Sequence, residues 1–367
     1  MDLMKILSGI NQGAKIVSEM KDNGGKVTPE LVLSILFDRR LSSYESYMES
    51  FNGQIQKNRK DLPALTKRKE FHFYSGQNRL KGYLYPVKKP KALIICCHGL
   101  AGMADDNFSL CIDYFVRHGY AAIALDLTAS GESGGLGITG LQQGPMDINA
   151  LEKGIHANSE LKKLPLVLFG HSWGGYSVVA STYFDQSPVA VCELSGFSTP
   201  IDVMMSFPSE KIGVVAEYTR PGMEKAIAAR AGEYYDLSAV EAIERATNTD
   251  FFLIHGSEDK TVSVRSASLW RCFEGKTSGR VRTYLDLGKH HADIWLTHRA
   301  VEANEALRNL AAPIMKKHGK APKRWPKDVY DSFFGNLDKE LLNEFDERLF
   351  DQIDSFFETA IKNHENE

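Results

Sequence analysis

The sequence predicts an α/β fold, a mostly parallel sheet flanked by helices, on three observations. Unbroken apolar runs of strand length alternate with stretches of helical spacing: residues 92–97, 120–125, 164–169 and 189–192. A strand covered on both faces reads as such a run, not as a strict alternation. The third run passes directly into Gly170-His171-Ser172-Trp173-Gly174-Gly175, after which Tyr176, Val179, Ala180 and Tyr183 recur at helical spacing. That is a strand, a sharp turn with serine at its tip, and a helix. Two later runs, residues 251–254 and 281–285, continue the sheet and end in polar turns.

Composition narrows the classes. Of 367 residues 43% are apolar, enough for a sizeable core, and 25% are charged with a formal net charge of −3. Nothing in that balance points to nucleic acid or an anionic membrane surface as partner. No stretch approaches the roughly 20 apolar residues of a membrane span. The first residues, Met1-Asp2-Leu3-Met4-Lys5-Ile6-Leu7-Ser8-Gly9, carry an early acid and no continuous apolar core, which disfavours a secretory signal. The five cysteines are odd in number and form no C-x-x-C pair. They read as buried structural thiols in a reducing compartment, so the expected location is cytoplasmic.

Taken in order, residues 1–66 form an N-terminal helical extension. Thr28-Pro29-Glu30 supplies a cap, a first-turn proline and an early acid. Leu31, Ile35 and Leu36 follow on one face, and Tyr44, Tyr47, Met48 and Phe51 predict one further helix. A core spans residues 67–312 and opens with a hairpin around Ser75-Gly76-Gln77-Asn78. Within it, residues 197–248 are helical in pattern and are expected to form a cap over the strands' carboxyl ends, where such sheets bind ligands. Residues 313–367 are a C-terminal helical extension packing on the core. Its basic linker runs from Lys316 to Lys327, and its long final helix aligns Leu342, Phe345, Leu349, Ile353, Phe356 and Phe357. Only the charged tail from Lys362 to Glu367 is expected to be disordered.

Serine is a weak nucleophile unless an imidazole takes its proton and a carboxylate fixes the imidazole's tautomer. The chain offers both downstream of Ser172. Phe251-Phe252-Leu253-Ile254-His255-Gly256-Ser257-Glu258-Asp259 ends a strand at Asp259, with Glu258 and Asp202 as competing acids. Leu285-Asp286-Leu287-Gly288-Lys289-His290-His291 ends the next strand at His291, with His290 as the alternative base. An oxyanion hole is also needed, because charge develops on the attacked carbonyl oxygen. The backbone N–H of Trp173 and that of Leu100, in Cys97-His98-Gly99-Leu100-Ala101-Gly102, are the expected donors, with Ala101 the alternative to Leu100. His98 and Gly99 would border the pocket, His98 in a structural role. Met204, Met205 and Phe207 would line it from the cap.

Two motifs compete and are set aside. Gly131-Glu132-Ser133-Gly134-Gly135 repeats G-x-S-x-G, but the glycine-rich residues after it cannot open a stable helix. Gly135-Leu136-Gly137-Ile138-Thr139-Gly140 matches a dinucleotide fingerprint, yet the preceding run ends at Leu125 and the next helix starts near Gln142. No cofactor is expected. His290, His291, Asp293 and His298 lack a second ligand cluster, and no metal is expected either.

Together His98-Gly99, the Ser172 turn, Asp259 and His291 resemble the α/β-hydrolase superfamily, in the branch of esterases, monoacylglycerol-lipase-like enzymes and serine aminopeptidase-like proteins. The resemblance covers roughly residues 70–312. It implies an eight-stranded, mostly parallel sheet, a helical cap and metal-free acyl transfer. Relatives often carry Asp-x-Arg-Gly-x-Gly-x-Ser after the fourth strand. Here Asp126-Leu127-Thr128-Ala129-Ser130-Gly131-Glu132-Ser133 lacks the arginine and the first glycine. The expected activity is that of a serine hydrolase cleaving a carboxylic ester of a small, partly apolar substrate through an acyl-serine. A peptidase or amidase, or an acyltransferase, would use the same triad. From another class, a non-catalytic binding protein could keep the fold. The expected partner is a small-molecule ester; the oligomeric state is open, a homo-oligomer included.

Overall fold

Eight strands form one sheet: β1 (Lys69–Ser75), β2 (Asn78–Tyr85), β3 (Ala92–Cys97), β4 (Tyr120–Asp126), β5 (Leu166–His171), β6 (Ala190–Leu194), β7 (Asp250–Gly256) and β8 (Val281–Asp286). Their order across the sheet is β1-β2-β4-β3-β5-β6-β7-β8. β2 is antiparallel to β1 and β4, and every other pairing is parallel. The computed structural model describes residues 28–104, 108–212, 219–275 and 279–365, without the side chains of 207–212. The reading of residues 1–27 as helical, and the cap residues Val214, Val215 and Tyr218, lie outside the described residues.

The described helices are α1 (Pro29–Phe37), α2 (Tyr44–Glu49), α3 (Phe51–Ile55), α4 (Ser109–Arg117), α5 (Gln143–Ala157), α6 (Trp173–Ser181), α7 (Pro200–Ile212), α8 (Arg220–Ala231), α9 (Ala239–Arg245), α10 (Leu269–Cys272), α11 (His298–His318), α12 (Lys327–Phe334), α13 (Lys339–Leu342) and α14 (Glu347–Glu365). They cover both faces of the sheet, which explains the unbroken apolar runs. In β3, Leu93, Ile95 and Cys97 enter one apolar layer, with residues of α1, α5, α6 and the cap. Ala92, Ile94 and Cys96 enter the other, with residues of α4, α11 and α14. The C-terminal extension therefore completes a face of the core. Phe350 packs against Phe115 and Phe169, at ring-centroid distances of 5.7 and 5.6 Å.

Five sequence expectations need correction. The stripe through Tyr44 and Phe51 is broken into two helices at Ser50, whose hydroxyl accepts from Gly53 N–H at 3.1 Å and donates to Tyr47 O at 2.7 Å. Tyr44 is exposed there, while Tyr47 and Phe51 are buried. Leu342 and Phe345 precede the last helix, Leu342 lying in α13 and Phe345 in the intervening link. α11 runs across residue 313 with Pro313 inside it, and α14 continues through Glu365. Of the cysteines, Cys96, Cys97, Cys111 and Cys192 are buried but Cys272 is exposed.

Candidate active site

β5 ends at His171 and α6 begins at Trp173, so Ser172 alone makes the turn, at φ 58° and ψ −120°. A side chain in that region is strained by roughly 1–3 kcal/mol and persists only where the surroundings fix it. Here Ser172 N–H donates to Leu194 O at 2.8 Å, and Tyr176 N–H donates to Ser172 O at 2.9 Å. Gly174 is dictated by close approach: a Cβ there would lie 2.1 Å from Cys97 O and 2.5 Å from His98 O. The absent side chain lets α6 start against the end of β3.

The turns after β7 and β8 bring the other two groups to the serine. His291 Nε2 lies 2.8 Å from Ser172 Oγ, and His291 Nδ1 lies 2.6 Å from Asp259 Oδ2. A carboxylate only accepts, so Nδ1 carries the proton and Nε2 presents a lone pair to the hydroxyl. Asp259 Oδ1 accepts from Thr261 and Val262 N–H at 2.8 and 2.9 Å. Burial alone would raise this carboxyl, but hydrogen bonds from His255 and His291 overcome it and hold the group well below the usual carboxylate range.

The competitors sit elsewhere. His290 Nδ1 is 3.2 Å from Asp293 Oδ2. Glu258 is exposed. Asp202 accepts from Ser198 Oγ at 3.0 Å and pairs with Arg220. The hydroxyl of the rejected motif, Ser133, accepts from Lys81 N–H at 2.8 Å and donates to Asp126 O at 2.5 Å, a structural arrangement. The glycine-rich match at 135–140 is a loop, and the helix that follows it begins only at Gln143.

Two histidines beside the triad escaped the sequence reading. His171 Nε2–H donates to His291 O at 2.6 Å. Burial, with the neighbouring His291, pushes its pKa down to about 3 and keeps it neutral, so it anchors the backbone of His291. His255 Nε2 lies 3.3 Å from Asp259 Oδ2 and 2.9 Å from Val262 O. Its place at a strand end four residues before Asp259 was the available signal. His98 is structural: Nδ1–H donates to Gly99 O at 2.7 Å and Nε2 accepts from Leu127 N–H at 3.2 Å. Burial lowers its pKa to about 4.

After β3, Gly102 N–H donates to Gly99 O at 2.9 Å and closes a turn around Leu100 and Ala101. A Cβ on Gly99 would lie 3.2 Å from Ser172 Cβ, so the turn runs directly beside the serine. Trp173, as first residue of α6, has a backbone N–H with no partner inside the helix. Leu100 is 45% exposed and Ser172 8%. Ala129 adopts φ 63° in the loop after β4, where the related motif has glycine.

The cap contributes less to the site than expected. Met205 is buried within the apolar cluster that holds Trp173 and Tyr176, and is core rather than pocket lining. Met204 is half-buried against the same cluster. The side chain of Phe207 lies outside the described residues. A cleft of about 200 Å³ opens instead between the N-terminal extension and the core, lined by Tyr44, Arg59, Tyr83, Met103, Asp126 and Gly131 and not by Ser172.

Residues 88–211 match the family described as serine aminopeptidase, S33. Among solved structures, the chain is similar to the esterase Pf2001 of Pyrococcus furiosus at 16% identity, covering 68% of this chain and 91% of that one, with a TM-score of 0.48. Est1E of Butyrivibrio proteoclasticus, with ferulic acid bound, is similar at 17% identity over 66% of this chain and 98% of that one, with a TM-score of 0.47. An acylaminoacyl peptidase of Pyrococcus horikoshii is similar at 16% identity over 66% of this chain and 40% of that one, with a TM-score of 0.45. No curated protein sequence matches the chain.

Proposed function

For a chain that is a member of the α/β-hydrolase superfamily, we propose a serine hydrolase that cleaves a carboxylic ester of a small, partly apolar substrate. The observation that carries this reading is the hydrogen-bonded series from Ser172 Oγ through His291 to Asp259, at 2.8 and 2.6 Å. Ser172 Oγ attacks the carbonyl carbon while His291 Nε2 takes its proton. The resulting oxyanion is held by the N–H groups of Trp173 and Leu100. His291 then gives its proton to the departing alkoxide, leaving an acyl-serine. Water repeats the sequence: it gives a proton to His291 as it attacks the acyl carbon, and His291 returns that proton to Ser172 Oγ as the acyl-serine bond breaks and the acid is released. Asp259 keeps the proton on Nδ1 throughout and stabilises the imidazolium. The exposed Leu100 side chain beside this turn supports an apolar contact for the substrate.

The test is labelling by a fluorophosphonate probe together with turnover of an activated ester. Ser172→Ala abolishes labelling and lowers turnover by about 10⁴-fold or more. Near-normal turnover in that variant would defeat the assignment. The match of residues 88–211 to serine aminopeptidases favours one second reading, hydrolysis of an amide by the same residues. Matched ester and amide substrates of one acyl group separate the two by their kcat/KM ratio.

A further inference from the structure

The segment between α1 and α2 is fastened to the turn of residues 99–102 and to the loop after β4. Ile138 N–H donates to Phe37 O at 3.0 Å, and Leu41 N–H donates to Ala129 O at 2.8 Å. The Arg40 guanidinium donates to three carbonyls of the loop after β4: Ser133 O at 2.9 Å, Gly135 O at 3.2 Å and Gly131 O at 2.8 Å. Ser42 reaches further. Its hydroxyl donates to Gly102 O at 2.7 Å and accepts from Gly131 N–H at 3.2 Å. One side chain of the N-terminal extension thus joins the turn beside the serine to the loop after β4.

Both joined segments are conformationally strained. Ala101 has φ 61° in the turn and Ala129 φ 63° in the loop after β4, a region that costs a residue with a Cβ. Such backbone keeps its shape only when external contacts over-determine it. Gly102 is the residue whose N–H closes the turn through Gly99, and Ser42 holds that same residue by its carbonyl. A donor aimed at a developing oxyanion contributes only if it is already in place when the charge forms.

We propose that Ser42 is a positioning residue for the reaction at Ser172, its hydroxyl holding the turn of residues 99–102 so that the Leu100 N–H stays aimed at the oxyanion. The N-terminal extension is then part of the catalytic apparatus. This rests on the hydrolase reading above. Ser42 touches neither substrate nor triad, and acts through the backbone of Gly102.

The experiment compares wild type, Ser42→Ala and Ser42→Thr by fluorophosphonate labelling rate, by kcat and KM on an activated ester, and by Tm. Ser42→Ala should lower the labelling rate and kcat by about tenfold or more, with KM within about twofold and Tm nearly unchanged, since the lost contact acts in the transition state. Ser42→Thr, which keeps the hydroxyl, should restore both rates. If wild type labels and Ser42→Ala labels equally fast, the positioning role is overturned while the hydrolase reading stands. A slowing that merely follows a fall in Tm, or that threonine does not relieve, overturns it too. If wild type itself is never labelled at Ser172, the hydrolase reading fails and takes this proposal with it. Should Ser42→Ala not fold, Ser42→Cys, which keeps the volume and weakens the donor to Gly102 O, must lower kcat at constant KM.

Discussion

Glu193 shows how one buried group couples the site to pH. It lies on β6, fully buried, with Oε2 accepting from Gly196 N–H at 2.5 Å and no partner for Oε1 among the described residues. Burial raises its pKa from 4.5 to about 7, helped by the charge of Asp259 and opposed by His255 and the Gly196 N–H. An acid raised on folding contributes stability fully below its unfolded value, and loses that contribution as pH rises through the folded one. The interval from 4.5 to about 7 corresponds to on the order of 3 kcal/mol. Glu193→Gln should therefore gain stability over wild type at pH 8 and little at pH 4. Urea unfolding at the two pH values measures the difference, and an equal difference at both would refute the reading. Asp259 has the opposite sign. Its depressed pKa gives a contribution present above the unfolded value near 3.8 and lost as pH falls toward the folded one, so acid should weaken the fold and the His291 contact together.

At the level of elements, the seat of α6 on the end of β3 sets the position of Ser172. Gly174→Ala would place a methyl 2.1 Å from Cys97 O, against backbone that cannot swing aside. The expected result is a loss of at least about 3 kcal/mol, together with loss of fluorophosphonate labelling in whatever protein folds. A variant with normal denaturation and labelling would show that α6 can slide without cost. The N-terminal helices illustrate the opposite balance. Tyr44, Tyr47, Met48 and Phe51 have helical spacing, yet Ser50 caps a new helix at α3 instead of continuing α2. Satisfying the Gly53 N–H outweighed periodicity there, because Gly53 and Asn52 add little helix propensity to prolong the turn.

Across the whole molecule, the sheet is buried between two apolar layers, and the C-terminal extension closes one of them. Phe350 and Phe357 are fully buried, and Phe357 lies 6.1 Å from Phe115 between ring centroids. Lys91, before β3, pairs with Asp354 and Glu358 of α14 at 2.7 and 2.8 Å, fixing the helix along the sheet. Phe350→Ala should cost about 3–5 kcal/mol in chemical denaturation, the range for emptying an aromatic site in a packed core. The folded fraction should keep its fluorophosphonate labelling, since Phe350 lies in the layer of α4 and α14, away from the Trp173 cluster. A loss below about 1 kcal/mol would mean that the last helix is an appendage and not a core layer.

The amino-acid sequence alone determined the class of fold, the central strands and the serine turn, because each is written locally. A strand buried on both faces reads as an unbroken apolar run, and a helix whose first turn presses on a strand end needs glycine at the contact, here Gly174. It also put Asp259 ahead of its neighbour Glu258, and His291 ahead of His290, from their places at the strand ends. What only the tertiary structure decided is the contact itself, since the backbone of each turn sets which of two adjacent side chains points inward, Asp259 to His291 and His291 to Ser172. The supporting contacts were equally out of reach. His171 meets His291 from 120 positions away, and Ser42 joins Gly102 and Gly131 across 60 and 89 positions. A hydroxyl or imidazole acquires such a role only when folding brings a distant backbone group to it, and no local pattern of residues records that meeting.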